Sequence, residues 1–528
     1  MRHAVDSRSD GHPEALDTGL LKVAGVCVLA SVMATLDTTV VSVAQRTFIA
    51  QFHTTHALVA WTMTGNTLAL ATVIPLTGWA ADRFGARRLF MGSVLAFSLG
   101  SLLCAMAHDI TLLIAFRVLQ GLGGGMLIPL VFTILIREAG PNRLGRLMAA
   151  LGIPMLLGRM GGPILSGWLI DSFGWEWIFL INVPIGVLAF TLAAVILEKD
   201  TPRSAPAAFD FVGVLLLSPG LALFLYGGSS LPAHGAVTSR AVWIPASVGL
   251  LLIIGFVFHA LFRARHPLID LRLFKNRVVA LANVTMMLLG ISSFGAVLLF
   301  PSYFQQLLGQ TPLQSGVHLT PRDLGAVLTM PIAGWIVDKY GPRWVVLAGI
   351  TLTVTGLGAF AYGVSHRYAY TPLLLTGLAV MGMGMGSTMM PLFGSAVRGL
   401  ALPQVASGST LINVNLQTAG SIGTALMSVI LTSQLKHSQF IQAADKAAAL
   451  KVEATKSGVP LRPSQLPPQV LQPGFVDHVT SDLSHAYTVV FVVAVALALT
   501  ALISAGFLPA KPAAAPPYQP VIPALAQS

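Results

Sequence analysis

Charge is scarce in this chain. Only 10% of its 528 residues are Asp, Glu, Lys or Arg, against 55% that are apolar, and the mean hydropathy is +0.77. A water-soluble protein of this length needs far more polar surface to cover its core, so a soluble enzyme or binding module is excluded. Cysteine is scarcer still. Cys27 and Cys104 both lie within apolar blocks, which leaves two packing thiols and excludes a disulfide framework or a cysteine-based metal site. Neither a G-x-x-x-x-G-K-[ST] loop nor an H-E-x-x-H pair occurs, and Gly121, Gly123, Gly124 and Gly125 fall inside an apolar block. ATP is therefore not the expected energy source, a membrane enzyme is a poor fit, and no cofactor or metal is expected.

What the chain does have is long apolar runs. A bilayer core about 30 Å thick requires about 20 apolar residues of helix. Blocks of that kind fall near 21–43, 57–80, 88–107, 110–136, 145–170, 177–197, 211–229, 241–262, 278–304, 313–337, 344–364, 371–396, 405–434 and 486–508. The expectation is an all-α membrane protein of fourteen transmembrane helices. The first block follows a polar segment without a small-residue cleavage site, so it reads as a retained helix and not as a signal peptide.

The net charge of +11 does not indicate nucleic acid, because no basic stripe with interleaved aromatics accompanies it. The basic residues cluster in the short gaps between blocks instead. With the amino terminus inside, 20 of the 31 Lys and Arg fall in cytoplasmic segments and eight in external ones, while Arg117, Arg159 and Arg322 lie within helices. The positive-inside rule then places both termini in the cytoplasm. The partner expected on this basis is the lipid bilayer, with no nucleic acid. A long external loop at 435–485 starts Ala/Lys-rich, in the manner of a short amphipathic helix, and continues Pro-rich from Pro460 to Pro473. It reads as a flexible tether, or alternatively as a docking surface for an envelope partner. The 509–528 tail is Pro/Ala-rich and reads as disordered.

The chain repeats itself. The pattern G-W-x-x-D-[RK]-[FY]-G-x-R occurs at Gly78–Arg87, after the second helix, and at Gly334–Arg343, after the tenth. Two copies in corresponding positions imply two related halves, as in many secondary transporters. The halves are 21–200 and 266–508, with two inserted helices in 201–265 and a cytoplasmic tail at 1–20. This paired motif resembles that of the major facilitator superfamily, and the whole chain resembles its fourteen-helix drug:proton antiporter branch. Leu36–Ala44 resembles the first-helix motif, Arg117–Gly121 the fourth-helix motif, and Gly158, Gly162, Pro163, Ser166 and Gly167 the fifth-helix antiporter motif. Trp175–Gly186 and His266–Phe274 are the stretches most specific to the branch. The chain departs from the pattern at Ser42, where Asn is usual, at Gln45-Arg46, where Leu-Pro is usual, at Asn66, where Tyr is common, and at Arg159, in a usually apolar run. The resemblance implies a major facilitator fold of two six-helix bundles plus two inserted helices, in a bacterial cytoplasmic (inner) membrane.

Ionisable groups inside a bilayer cost several kcal/mol unless paired or wetted, so each is a functional candidate. Asp37 lies about 22 Å along the first helix and Arg117 about 10 Å from the outer end of the fourth, which are similar depths. Arg159 reaches that level too, so Asp37 is expected in a pocket with one or both arginines. On this reading Asp37 carries the proton and Arg117 modulates it; the alternative is a structural ion pair. Asp323, near the midplane of the tenth helix, could meet a cationic substrate or serve as a second proton site, with Arg322 as a competing partner. Gly158, Gly162 and Pro163 are expected to form a hinge. Asp82, Arg83, Arg87, Asp338 and Arg343 are expected to gate the cytoplasmic face. Trp61, Asn66, Gln120, Met385, Met389, Asn413 and Gln417 are the candidates for a soft cavity wall. Three functions fit: proton-coupled export of amphipathic drugs, dedicated export of one metabolite, lipid or siderophore, or a non-transporting scaffold or sensor. The charges within the bilayer argue against the last.

Overall fold

A computed structural model describes residues 18–54, 56–139, 144–200, 209–230, 239–265, 267–367, 372–398, 400, 404–457 and 465–508. The two expected tails, apart from residues 18–20, and the first part of the Pro-rich run, 460–464, lie outside the described residues. Among the described residues, regular structure is helical throughout. Twelve helices among the described residues are long and apolar enough to cross a membrane. They are α1 (Thr18–Val43), α2 (Leu58–Phe84), α3 (Ala86–Ala105), α4 (Ile110–Glu138), α6 (Trp177–Ile196), α7 (Phe211–Gly228), α8 (Arg240–Arg263), α9 (Arg277–Gln306), α11 (Pro342–Ser365), α12 (Pro372–Val397), α13 (Val405–His437) and α14 (Phe475–Gly506). Between them lie α5 (Leu144–Phe173) and α10 (Thr320–Tyr340), both long enough to cross as well. α10 is the less apolar of the two, since it carries Arg322, Asp323, Asp338 and Lys339. This arrangement is compatible with fourteen crossings.

α1 to α6 pack on one another, as do α9 to α14, and the two bundles meet where α5 lies along α10 and α12 and where α2 and α4 meet α13. The inserted α7 and α8 pack as a pair, and α7 lies in the seam between α2 and α13. Small residues allow these close approaches. A side chain at Gly382 of α12 would run into the Arg322 backbone of α10, so that glycine fixes where Arg322 emerges.

Chain ends of helices follow their local chemistry. Asp109 caps α4 by accepting from the Leu112 N–H at 2.9 Å, Asn276 caps α9 through the Val278 N–H at 3.0 Å, and Asp210 caps α7 through the Gly213 N–H at 2.8 Å. The two repeat motifs match at the backbone. Gly85 (φ 91°) and Gly341 (φ 88°) both adopt positive φ where one helix ends and the next begins, a conformation that costs other residues energy.

The long loop is shorter than expected. Helix Gln439–Ser457 fills its Ala/Lys-rich part, and α14 begins at Phe475, about three turns earlier than its apolar block. Ser438 donates to Asp482 at 2.6 Å, and the Phe440 ring stacks on His478 with centroids 4.5 Å apart. These contacts dock the loop helix on the extension of α14.

Candidate functional site

Asp37 of α1 sits in a closed cluster. Its side chain and that of Arg117 are each 1% exposed, and Arg117 Nη1 lies 2.6 Å from Asp37 Oδ2. Asp37 Oδ1 accepts from Gln120 Nε2 at 2.8 Å and from Asn182 Nδ2 at 3.2 Å. Ser101 Oγ accepts from the same two amides at 2.5 and 3.3 Å. Arg117 also donates to Gln120 Oε1 at 2.5 Å and through Nε to the Thr62 carbonyl of α2 at 3.0 Å. Its guanidinium lies over Phe179, 5.8 Å from the ring centroid. Five helices thus meet in one cluster, and two of them, α4 and α6, donate directly to the carboxylate borne by α1. Each donor shortens the reach of the anionic form's charge, which is what a buried ion requires.

A second charged group lies between the bundles. A cavity of about 240 Å³ is lined by Arg159 of α5, Arg322 and Asp323 of α10, and an apolar wall that includes Met155, Met286, Met330, Met385, Met389 and Met390. Arg322 grips its own neighbour: Nη2 and Nε lie 2.6 and 2.8 Å from Asp323 Oδ1. Adjacent positions on a helix point about 100° apart, and the long guanidinium spans that angle. A further cavity of about 400 Å³ runs between α2, α7, α9 and α13, and it shares Phe294 and Val297 with the first.

The expected site residues therefore divide. Asp37 and Arg117 are together, while Arg159 joins Asp323 and Arg322 and not Asp37. Met385, Met389 and Asn413 line the cavity between the bundles, and Gln417 lines the larger one. Gln120, expected on a cavity wall, is fully buried in the Asp37 cluster. Asn66 is buried at 3% exposure, with its Oδ1 lacking a hydrogen-bond partner among the described residues. Trp61 faces the inserted pair and stacks on Tyr226 of α7, centroids 5.6 Å apart at 28°. Asn182, Ser101 and Thr62 were not anticipated. The signal for Asn182 was present, since it is a lone amide within the apolar Trp175–Gly186 stretch.

The hinge candidates line the α1–α5 contact. A side chain at Gly162 would collide with Thr39, and one at Gly158 would meet Val32 and Leu36 at 3.6 and 3.8 Å. Pro163 lies within the α5 helix, which continues through it.

At the end that bears the repeat motifs, Asp82 pairs with Arg137 of α4 at 3.3 Å and not with its neighbour Arg83, which is exposed. Arg87 donates to the Ala194 carbonyl, and its backbone N–H and that of Arg88 each reach the Asp200 carboxylate at 3.1 Å. Asp200, another residue not anticipated, thereby closes the start of α3. In the second copy, Lys339 lies over the Trp335 and Tyr340 rings at 5.1 and 5.2 Å, and Arg343 over Trp344 at 5.6 Å. Asp338 occupies the last turn of α10. Contacts between the bundles gather at this end. Ser409 donates to the Pro129 carbonyl at 3.0 Å, Phe132 stacks on Phe393 with centroids 3.9 Å apart, and a Cβ at Gly78 would meet Ser407 Cα at 3.3 Å.

Comparison with known proteins agrees with the helical membrane fold. The sequence profile of the Major Facilitator Superfamily matches residues 27–424. A multidrug resistance protein B homolog of Mycobacterium tuberculosis (strain ATCC 25618 / H37Rv) is 61% identical over 502 residues, covering 95% of this chain and 92% of its own. The multidrug export protein EmrB of Escherichia coli (strain K12) is 30% identical over 423 residues, covering 78% and 81%. Among solved structures, a double-tryptophan mutant of XylE superposes with a TM-score of 0.61 at 14% identity, covering 94% of this chain and 97% of that one. At that identity the likeness concerns the fold alone.

Proposed function

The chain belongs to the major facilitator superfamily, and on that footing we propose that it exports hydrophobic or amphipathic drugs and toxic compounds in exchange for protons, with Asp37 as the proton-carrying group. It is a multi-pass membrane transporter and not an enzyme, and its relatives include a multidrug resistance protein B homolog and the multidrug export protein EmrB. The finer reading rests on one observation: a carboxylate 1% exposed, deep among apolar helices, held by three side-chain donors. A buried ion pair adds little net stability over an apolar replacement, so packing alone is a weak reason to retain one.

Protonation of Asp37 removes the charge that holds Arg117. The bonds drawing α1 to α4 and α6 weaken, and Arg117 also ties α4 to α2 through Thr62. α2 in turn abuts α13 of the other bundle at Gly78. The charge on Asp37 thus has a mechanical path to the contact between bundles. With both termini cytoplasmic, as the distribution of Lys and Arg favours, the repeat-motif end faces the cytoplasm of a bacterium, and the contacts at Gly78, Pro129 and Phe132 close that face. We assign this arrangement to the outward-facing form, with Asp82, Arg87, Asp200, Asp338 and Arg343 bracing the closed end and Gly158, Gly162 and Pro163 allowing α5 to shift along α1.

Dye efflux from loaded cells, with and without a pH gradient, compares the native chain with Asp37→Asn. Efflux lost both on collapsing the gradient and on substitution is the expected result. Efflux indifferent to both sinks proton antiport through Asp37, and absence of efflux for every dye turns the reading towards one dedicated endogenous substrate.

A further inference from the structure

The cavity between the bundles holds two guanidinium groups and one carboxylate, and the carboxylate is already engaged. Asp323 Oδ1 takes both of its bonds from Arg322. Arg322 is nonetheless not satisfied: it is 7% exposed, and its Nη1 is buried without a hydrogen-bond partner among the described residues. Arg159, facing the same space from the other bundle, makes no hydrogen bond or ion pair with any described residue and is open to the cavity. It lies within electrostatic reach of both Arg322 and Asp323. Two arginines lining one cavity at mid-membrane repel one another, and the single carboxylate, already held by Arg322, leaves one positive charge in excess. A transporter for cations would gain from the reverse balance.

We propose that Arg159 and Arg322 form an anion site, and that the substrate is an amphipathic molecule bearing a carboxylate, sulfonate or phosphate. The anion lies between the two guanidinium groups, using Arg159 and the unpartnered Nη1 of Arg322, while its apolar body rests on the methionine wall that includes Met330, Met385 and Met389. Arginine suits this task because it stays charged and presents several donors in a plane. The site bridges the bundles, one arginine from each, so bound anion also draws α5 towards α10. This inference rests on the export reading above and adds the charge of the cargo.

The test uses the full chain in nanodiscs and two probes of the same ring system, anilinonaphthalene sulfonate and neutral N-phenylnaphthylamine. Fluorescence binding is corrected by empty nanodiscs. The native protein is expected to prefer the sulfonate, R159Q to weaken the sulfonate about tenfold and leave the neutral probe unchanged, and R159K to keep most of the preference. Unaltered binding of the neutral probe shows that the variant is folded. A lipid phosphate and a soluble organic acid share this chemistry: displacement of the sulfonate when phosphatidylglycerol replaces phosphatidylcholine assigns the site to lipid, and no displacement assigns it to soluble acids. Equal affinity for the two probes in the native chain, or native sulfonate affinity in R159Q, overturns the anion site. Either result leaves the export reading standing, because that reading is decided by gradient-driven efflux through Asp37.

Discussion

Arg117 Nη1 lies 2.6 Å from Asp37 Oδ2, and neither side chain is more than 1% exposed. Removing one partner strands the other. Asp37→Asn leaves Arg117 buried without its counter-charge and should cost about 3 kcal/mol, read as a lower midpoint in thermal unfolding of the purified protein. The double variant D37N/R117Q should recover most of that loss yet remain inactive in gradient-driven efflux. Recovery of efflux together with stability would reduce the pair to a packing device.

The Gly78–Ser407 approach allows a direct test of bundle movement. A Cβ at Gly78 would lie 3.3 Å from Ser407 Cα, within the reach of a disulfide. G78C/S407C, in a chain whose Cys27 and Cys104 are replaced by Ala, should lose efflux on oxidation and regain it on reduction. Full activity of the crosslinked protein would mean that this end does not open.

Gly162 packs where Thr39 leaves room for nothing larger. G162A should therefore destabilise the protein by about 1–3 kcal/mol through overpacking and slow export. Adding T39A removes the hydroxyl oxygen but leaves its Cβ 2.8 Å from the new methyl, so recovery should be partial. The comparison to make is initial efflux rate and unfolding midpoint across the two single variants and the double.

His318 supplies a pH dependence outside the spanning helices, in the short Pro312–His318 helix ahead of α10. Burial lowers its pKa from the ordinary 6.5, and its Nδ1 lies 2.6 Å from Gln310 Oε1. The folded chain therefore takes up this proton less readily than the unfolded chain. The sign follows: stability is retained above about pH 6.5 and falls as pH drops below it. The effect should be small, since the ring is partly exposed. The native chain should lose more of its unfolding midpoint between about pH 7 and pH 5.5 than H318N does; parallel curves would remove His318 from the account.

Much of this arrangement was legible in the residues, and where it was not the reasons are physical. Apolar blocks located the helices, and depth counted at 1.5 Å per residue brought Asp37 and Arg117 to one level. Depth carries no information about direction around the helix axis. That is why Arg159 was expected beside Asp37 and instead faces α10, and why Gln120 and Trp61 were expected on a cavity wall. Gln120 turns into the Asp37 cluster and Trp61 turns to Tyr226. The early start of α14 is invisible in the apolar pattern for a different reason. Asp477, His478 and Asp482 end the apolar block, but a helix needs no apolar residues once it has left the bilayer, and the loop helix gives this extension a partner.

The Asp37 cluster and the methionine-lined cavity share no residue. That separation has an evolutionary consequence. On the proposed export reading, substitutions in the soft wall change which molecules fit without touching a residue of the Asp37 cluster, so the range of cargo can drift one residue at a time. On the same reading the proposed proton-carrying cluster, confined to one half of the chain, need not be reinvented at any step.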